Sequence, residues 1–181
     1  MKPQNIGKLY WKDLLKEPNT PLSKILIWLA VFIVLAFFVS HVFGESKIKM
    51  IRPFDDSIYP VVISGRFGAP RSQTMGGTQY EHTGIDYTLE KGTNLRAAYD
   101  GKVIFAEDAE NGYGNLVKID HGNGVVTLYA HLLRPDVKEG QVVKQGELIG
   151  KVGNSGRSYG YHSHFEVRVN GNPVHPAQFV F

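Results

Sequence analysis

Histidine and carboxylate recur in this chain at spacings that suit a metal site. His82 and Asp86 lie four apart in His82-Thr83-Gly84-Ile85-Asp86. His162 and His164 lie two apart in His162-Ser163-His164, and His131 stands between the two groups in Tyr129-Ala130-His131. Imidazole nitrogen and carboxylate oxygen suit zinc, and a catalytic zinc typically takes three protein ligands and keeps a fourth position for water. Histidines beyond the ligand count can move protons, because imidazole titrates near neutrality. Spacing alone leaves open which of His162 and His164 binds metal.

The surrounding residues point to strands as the elements that position these groups. Residues i and i+4 share a face on a helix and also on a strand. Gly84, β-branched Ile85 and the following Tyr87-Thr88 favour an extended segment. His162 and His164 share one face of a strand, and Phe165-Glu166-Val167-Arg168-Val169 alternates apolar and charged as a half-buried strand does. If the two strands are neighbours, both pairs aim at one point. Further strands are predicted at Val61–Ser64, Ile85–Thr88, Lys102–Ala106, Leu116–Asp120, Val125–Ala130, Leu148–Val152 and Phe165–Val169. Turn signals separate them at Asp100-Gly101, Asn111-Gly112, Gly122-Asn123-Gly124, Asn154-Ser155-Gly156 and Asn170-Gly171. The expected fold is all-β: a small antiparallel β-sheet or sandwich domain with a glycine-rich substrate groove. His121 reads as a hairpin-turn residue, His175 as a loop residue before Pro176, and His41 belongs to another part of the chain.

In this order the motifs resemble the lysostaphin/LytM-type zinc metallopeptidases, enzymes that cut peptide cross-links in bacterial cell walls. The resemblance runs from about Val61 to Phe179. It includes H-T-G-I-D at 82–86, A-A-x-D-G-K-V at 97–103, G-Y-G-N-L-V at 112–117 and L-Y-A-H at 128–131. It continues through the glycine-punctuated segment 137–150, G-x-S-G-R-S at 153–158 and H-x-H-F-E-V at 162–167. The resemblance implies that His82, Asp86 and His164 hold Zn2+ and that His131 and His162 are the catalytic pair. The family commonly has Gly-Pro-His-Leu-His-Phe where this chain has Gly160-Tyr161-His162-Ser163-His164-Phe165, so Tyr161 and Ser163 are expected to alter the groove wall. It also commonly has Asn at the position of His175. Arg66, Phe67 and Arg71 are candidates for the groove rim. The implied substrate is a stem or bridge peptide of peptidoglycan, with a D-Ala–diamino-acid bond and a glycine bridge both open.

The remainder of the 181 residues fits an appendage to one domain. Ile25 to Val39 is an unbroken apolar run that Ser40-His41-Val42-Phe43 extends. A helix of about 19 residues spans roughly 28 Å, close to the hydrocarbon thickness of a bilayer. No small-residue cleavage site follows, so the segment reads as a retained anchor. Residues 1–24 carry five lysines against Asp13 and Glu17, a net +3 that equals the net charge of the whole chain. The basic balance is therefore local and gives no reason to expect nucleic acid. It places the N terminus in the cytoplasm by the positive-inside rule. The expected organisation is a cytoplasmic segment over 1–24, a transmembrane anchor over 25–43, a linker over 44–60 and the metallopeptidase domain over 61–181. That makes a single-pass protein of the bacterial cytoplasmic membrane, with its β domain outside. Tyr10, Trp11, Leu14 and Leu15 read as an interfacial stub, or as a docking peptide for a cytoplasmic scaffold.

The chain has no cysteine, which excludes disulfides and thiol chemistry. Two rivals come from other classes. One is a non-catalytic wall-binding or activator module that regulates another wall hydrolase; loss of a ligand would support it, and no ligand is lost. The other is a lipoyl- or biotinyl-type carrier, suggested by the hairpin-like 142–150. A carrier needs a modified lysine at a hairpin tip, usually after Met, and no Met-Lys pair occurs in the β domain. It would also leave the histidines unused.

Overall fold

The computed structural model describes residues 21–42, 48–72 and 79–180. They fall into two compact units, a helix and a β unit that begins at Lys47. The helix, α1, runs Pro21–Val42 over 22 residues, roughly 33 Å at 1.5 Å per residue. Side chains are described for 24–35, and all of them are exposed. Among fully described residues no helix is long and apolar enough to cross a membrane. The apolar run of the sequence continues beyond that described stretch. Residues 1–20, with Tyr10, Trp11, Leu14 and Leu15, and Phe43 lie outside the described residues.

The β unit is built on one large antiparallel sheet. Its strands are β1 (Ile63–Gly65), β4 (Ile85–Thr88), β6 (Gly101–Ala109), β7 (Gly114–Asp120), β8 (Val125–Ala130), β10 (Val142–Val143), β12 (His162–Val169) and β13 (Asn172–Val174). The order is β1-β4-β12-β8-β7-β6-β10, with β13 also paired to β12. A three-stranded sheet has the order β5-β11-β9, from β5 (Asn94–Arg96), β9 (Leu132–Pro135) and β11 (Leu148–Val152). A two-stranded ribbon joins β2 (Pro70–Ser72) to β3 (Gln79–Glu81). The long alternating runs formed the strands expected of them. The short β2, β3, β5, β9, β10 and β13 carry too few residues to show a period.

Strand alternation assigns each sheet face. On β12, Phe165 and Val167 are fully buried in the main core, with Ile85 and Tyr87 of β4 and Tyr129 of β8. Leu95, Leu132, Ile149 and Val152 of the smaller sheet belong to the same core, so the two sheets enclose it. The other face of β12 carries His162, His164 and Glu166. A second cluster, Leu116, Leu128 and Ala130, covers the large sheet on that side. Two expectations change. Glu166 was expected at a half-buried strand's polar face, yet it is 0% exposed. Ser163 was expected to shape the groove wall, yet it is fully buried, and its hydroxyl has no hydrogen-bond partner among the described residues.

Residues 48–59, expected as linker, pack into the β unit. Met50 and Phe54 are buried in the main core. Met50 N–H donates to Phe179 O at 2.8 Å and Arg96 N–H to Pro53 O at 2.8 Å. Ile48, Met50, Ile51, Phe54, Ile58 and Tyr59 fall at irregular spacings around Pro53 and Asp55-Asp56, so the sequence pattern did not show this closure.

Candidate metal centre and groove

Register brings the site residues together. β12 lies between β4 and β8, with His164 opposite both Asp86 and Ala130. Asp86 and His164 therefore sit on one face in one row. His82 lies three positions before Ile85, the first residue of β4, and is reached through Gly84. A Cβ at Gly84 would lie 2.5 Å from Phe165 O and 2.8 Å from His164 Cε1, so only glycine lets the chain pass there. The expected trio His82, Asp86 and His164 is buried and convergent. His164 Nδ1 lies 2.8 Å from Asp86 Oδ1, His82 Nε2 lies 3.0 Å from His164 Nδ1, and His82 Nε2 lies 3.1 Å from Asp86 Oδ1.

Each candidate ligand atom is aimed by a partner on the other end of its side chain. His82 Nδ1 lies 2.9 Å from the Arg66 carbonyl oxygen, which can only accept, so Nδ1 carries the proton and Nε2 is the bare nitrogen. His164 Nε2 donates to Glu166 Oε1 at 2.9 Å, which leaves Nδ1 bare. Arg71 Nη2 donates to Asp86 Oδ2 at 2.5 Å and leaves Oδ1 toward the histidines. Three acceptor atoms thus face one another with no proton of their own to share. A cation resolves that, and the edges of 2.8–3.1 Å are near the ~3.3 Å between neighbouring ligand atoms of a tetrahedral zinc. The residues fit a zinc ion.

The electrostatics agree. Burial alone would raise the Asp86 carboxyl, but hydrogen bonds to His164 and His82 outweigh it and hold it well below the usual carboxylate range. Burial would lower His164, yet its bonds to Asp86 and Glu166 raise it. That is the response of a bare nitrogen pressed against a carboxylate: without a metal, a proton serves as the cation.

Sequence reasoning assigned no role to Glu166. Its buried carboxylate also accepts from Thr83 Oγ1 at 2.5 Å, Tyr113 Oη at 2.7 Å and Arg168 Nε at 2.8 Å. Burial would raise Glu166, but the His164 and Thr83 bonds lead a set that lowers it to about 2. Its signal was an acid two residues after His164 on the same strand face. Arg71, expected only at the groove rim, holds the Asp86 carboxylate instead. Arg66 reaches the site through its backbone carbonyl, and the Phe67 ring lies against His175 at 5.4 Å.

His131 and His162 flank the trio. Their ring centroids are 4.8 Å apart, and His131 is 5.9 Å from His164. His131 Nδ1 donates to Ser155 O at 2.8 Å and His162 Nδ1 to Gly160 O at 2.8 Å, so Nε2 is the bare nitrogen in both. His131 adopts φ +61, an uncommon conformation for a side-chain-bearing residue. Strand alternation after Ala130 would turn position 131 to the core face beside Tyr129. The left-handed backbone re-aims it, as strained residues at sites often do. Burial lowers His131 to about 4 against the pull of the Ser155 hydrogen bond, so it is neutral at pH 7. His121 is held elsewhere by Asp100 O and Thr127 Oγ1, each at 2.7 Å. His175 caps the 3-10 helix Pro176–Gln178. All five groups line an open groove of about 540 Å³.

Residues 80–176 match peptidase family M23. The chain belongs to this family. Its relatives include the DD-carboxypeptidase/endopeptidase Mpg of Neisseria meningitidis, 49% identical over 123 residues, 66% of this chain and 28% of that protein. The murein hydrolase activator NlpD of Escherichia coli is 37% identical over 108 residues, 60% of this chain and 28% of that one. A zinc-containing peptidase from Vibrio cholerae superposes with a TM-score of 0.63 at 34% identity, covering 70% of this chain and 39% of the other. The chain thus spans about a quarter of the length of these curated relatives. The resemblance to lysostaphin-type peptidases read from the motifs and the M23 match coincide on the same β unit.

Proposed function

We propose that this chain is a membrane-anchored zinc endopeptidase that hydrolyses peptide cross-links of bacterial peptidoglycan. The observation that carries the reading is the triangle of three bare acceptor atoms beside two histidines, each with its Nδ1 proton tied to a backbone carbonyl. His82, Asp86 and His164 would hold the ion. Bound there, zinc supplies Lewis acidity and a water of lowered pKa. His131 is neutral at pH 7, the form that accepts a proton, and its Nε2 is the bare nitrogen. His162 presents Nε2 on the other side and lies 3.8 Å from Asp86 Oδ1. One of the pair would take the proton of the attacking water on its bare Nε2, and the other, once protonated at Nε2, would donate to the oxyanion or to the leaving amine. The anchor over 25–43 and the lysine-rich 1–24 support an N terminus in the cytoplasm and a β unit facing the wall.

The likeness to an activator favours a second reading, a module that binds the wall and regulates another hydrolase. All five residues of the site are present, which supports catalysis. Digestion of purified peptidoglycan by the zinc-loaded full chain, read by mass spectrometry, decides between them. Cleaved cross-links that disappear with His131→Ala and His162→Ala, at unchanged zinc content, support the peptidase. An inert wild-type chain that holds zinc and binds the wall supports the module.

A further inference from the structure

The groove is charged on one side of the balance. Its acidic lining residue is Asp86, already engaged by two histidines and Arg71, while Arg71 and Arg157 both line it. Glu166 is buried beneath and paired with Arg168 at 2.8 Å. A divalent ion on the trio would add to the positive field.

Arg157 is placed with care. Its guanidinium has no hydrogen-bond or ion-pair partner among the described residues. Its stem lies over Gly112, where an added Cβ would be 3.6 Å from Arg157 Cβ and 3.8 Å from Nε. Its N–H donates to Gly112 O at 2.8 Å. The preceding loop is fastened. Ser155 Oγ donates to Leu132 O at 2.8 Å and accepts from Asn115 N–H at 2.9 Å, and Ser155 O holds the proton of His131. Gly156 has φ +68, and a Cβ there would lie 2.4 Å from Gly114 N. A guanidinium with no partner among the described residues thus stands on a fixed backbone, two residues from the group that orients His131. A planar fork of donors fits a carboxylate, and a fixed base reduces the ordering cost of binding one.

We propose that Arg157 binds a carboxylate of the substrate beside the scissile bond, so that the groove selects cross-linked stem peptides with free carboxylates. Amidated stems and glycine bridges, which offer no such charge, are then the poorer ligands. This rests on the peptidoglycan reading above and narrows it to one class of cross-link.

The test compares two synthetic cross-linked stem dimers, identical except that the carboxylates flanking the scissile bond are free in one and amidated in the other. Binding and cleavage are measured with the zinc-loaded full chain. The free-acid dimer is expected to bind about tenfold to a hundredfold more tightly, the range of a charged hydrogen-bonded pair. Arg157→Gln should bring the two dimers within about threefold, and Arg157→Lys should restore part of the preference, returning the charge without the fork. Zinc content equal to wild type shows that each variant keeps its site. Equal affinity of the wild type for both dimers overturns the proposal, as does a preference that survives Arg157→Gln. If neither dimer is cut but the binding preference holds, hydrolysis fails and this inference stands. If both are cut and bound alike, hydrolysis stands and this inference fails.

Discussion

At the residue scale, what distinguishes the site is how the far end of each ligand is held. Glu166 accepts the Nε2 proton of His164 and so leaves Nδ1 bare. Such partners of metal-binding histidines typically contribute 10–100-fold in metal affinity. Glu166→Gln should therefore weaken zinc binding by about 10–100-fold, measured by competition with a chromophoric chelator. Wild-type affinity in that variant would show that Glu166 serves only to neutralise Arg168. His131→Ala and His162→Ala should keep zinc and lose turnover by about 10²–10⁴-fold, the usual contribution of acid–base groups. Loss of zinc in either would move that histidine into the ligand set.

At the element scale, β12 is the organising strand. Three of its polar residues, Ser163, His164 and Glu166, are buried, and two of them behave differently. Glu166 is fully satisfied, while the Ser163 hydroxyl is buried without a partner among the described residues. Ser163→Ala removes that hydroxyl and should leave stability unchanged or raise it by about 1 kcal/mol in chemical denaturation. A clear loss would reveal a partner for the hydroxyl. The β7–β8 hairpin makes a second case. His121 there is lowered chiefly by burial, against the Asp100 hydrogen bond. Its unfolded value is about 6.5, so as pH falls below that the unfolded chain binds a proton before the folded one does. Stability is then lost until the lower folded value is passed, and above both values His121 contributes no pH dependence. His121→Gln should make stability fall less steeply than wild type over that acid window. Parallel stability curves would show that His121 is not a buried neutral group.

At the scale of the whole molecule, the question is where the β unit works. The lysine bias of 1–24 and the apolar run over 25–43 make the full chain an expected membrane protein with its C terminus outside the cytoplasm. It should remain in the membrane fraction after a carbonate wash, and a reporter fused after Phe181 should be active only outside the cytoplasm. A shortened soluble product would show a cleaved leader instead.

The sequence by itself determined the donor types, their order and the strands that carry them. His162 and His164 share a face because strands repeat every two residues, and glycine and asparagine mark turns through their backbone freedom. Tertiary structure decided what depends on register between distant strands. His82 meets His164 across 82 positions, and nothing local announces that contact. The bare nitrogen of each ring is chosen by Arg66, Glu166, Ser155 or Gly160, three of them through backbone carbonyls that any residue would supply. Burial was equally hidden. Alternation puts Ser163 on the apolar face with Phe165 and Val167, but it leaves Glu166 on the opposite, polar face, where Thr83, Tyr113 and Arg168 enclose it. His131 is aimed by a left-handed backbone that ordinary alternation would not predict. Spacing says which groups can meet; pairing and packing decide which atoms face one another.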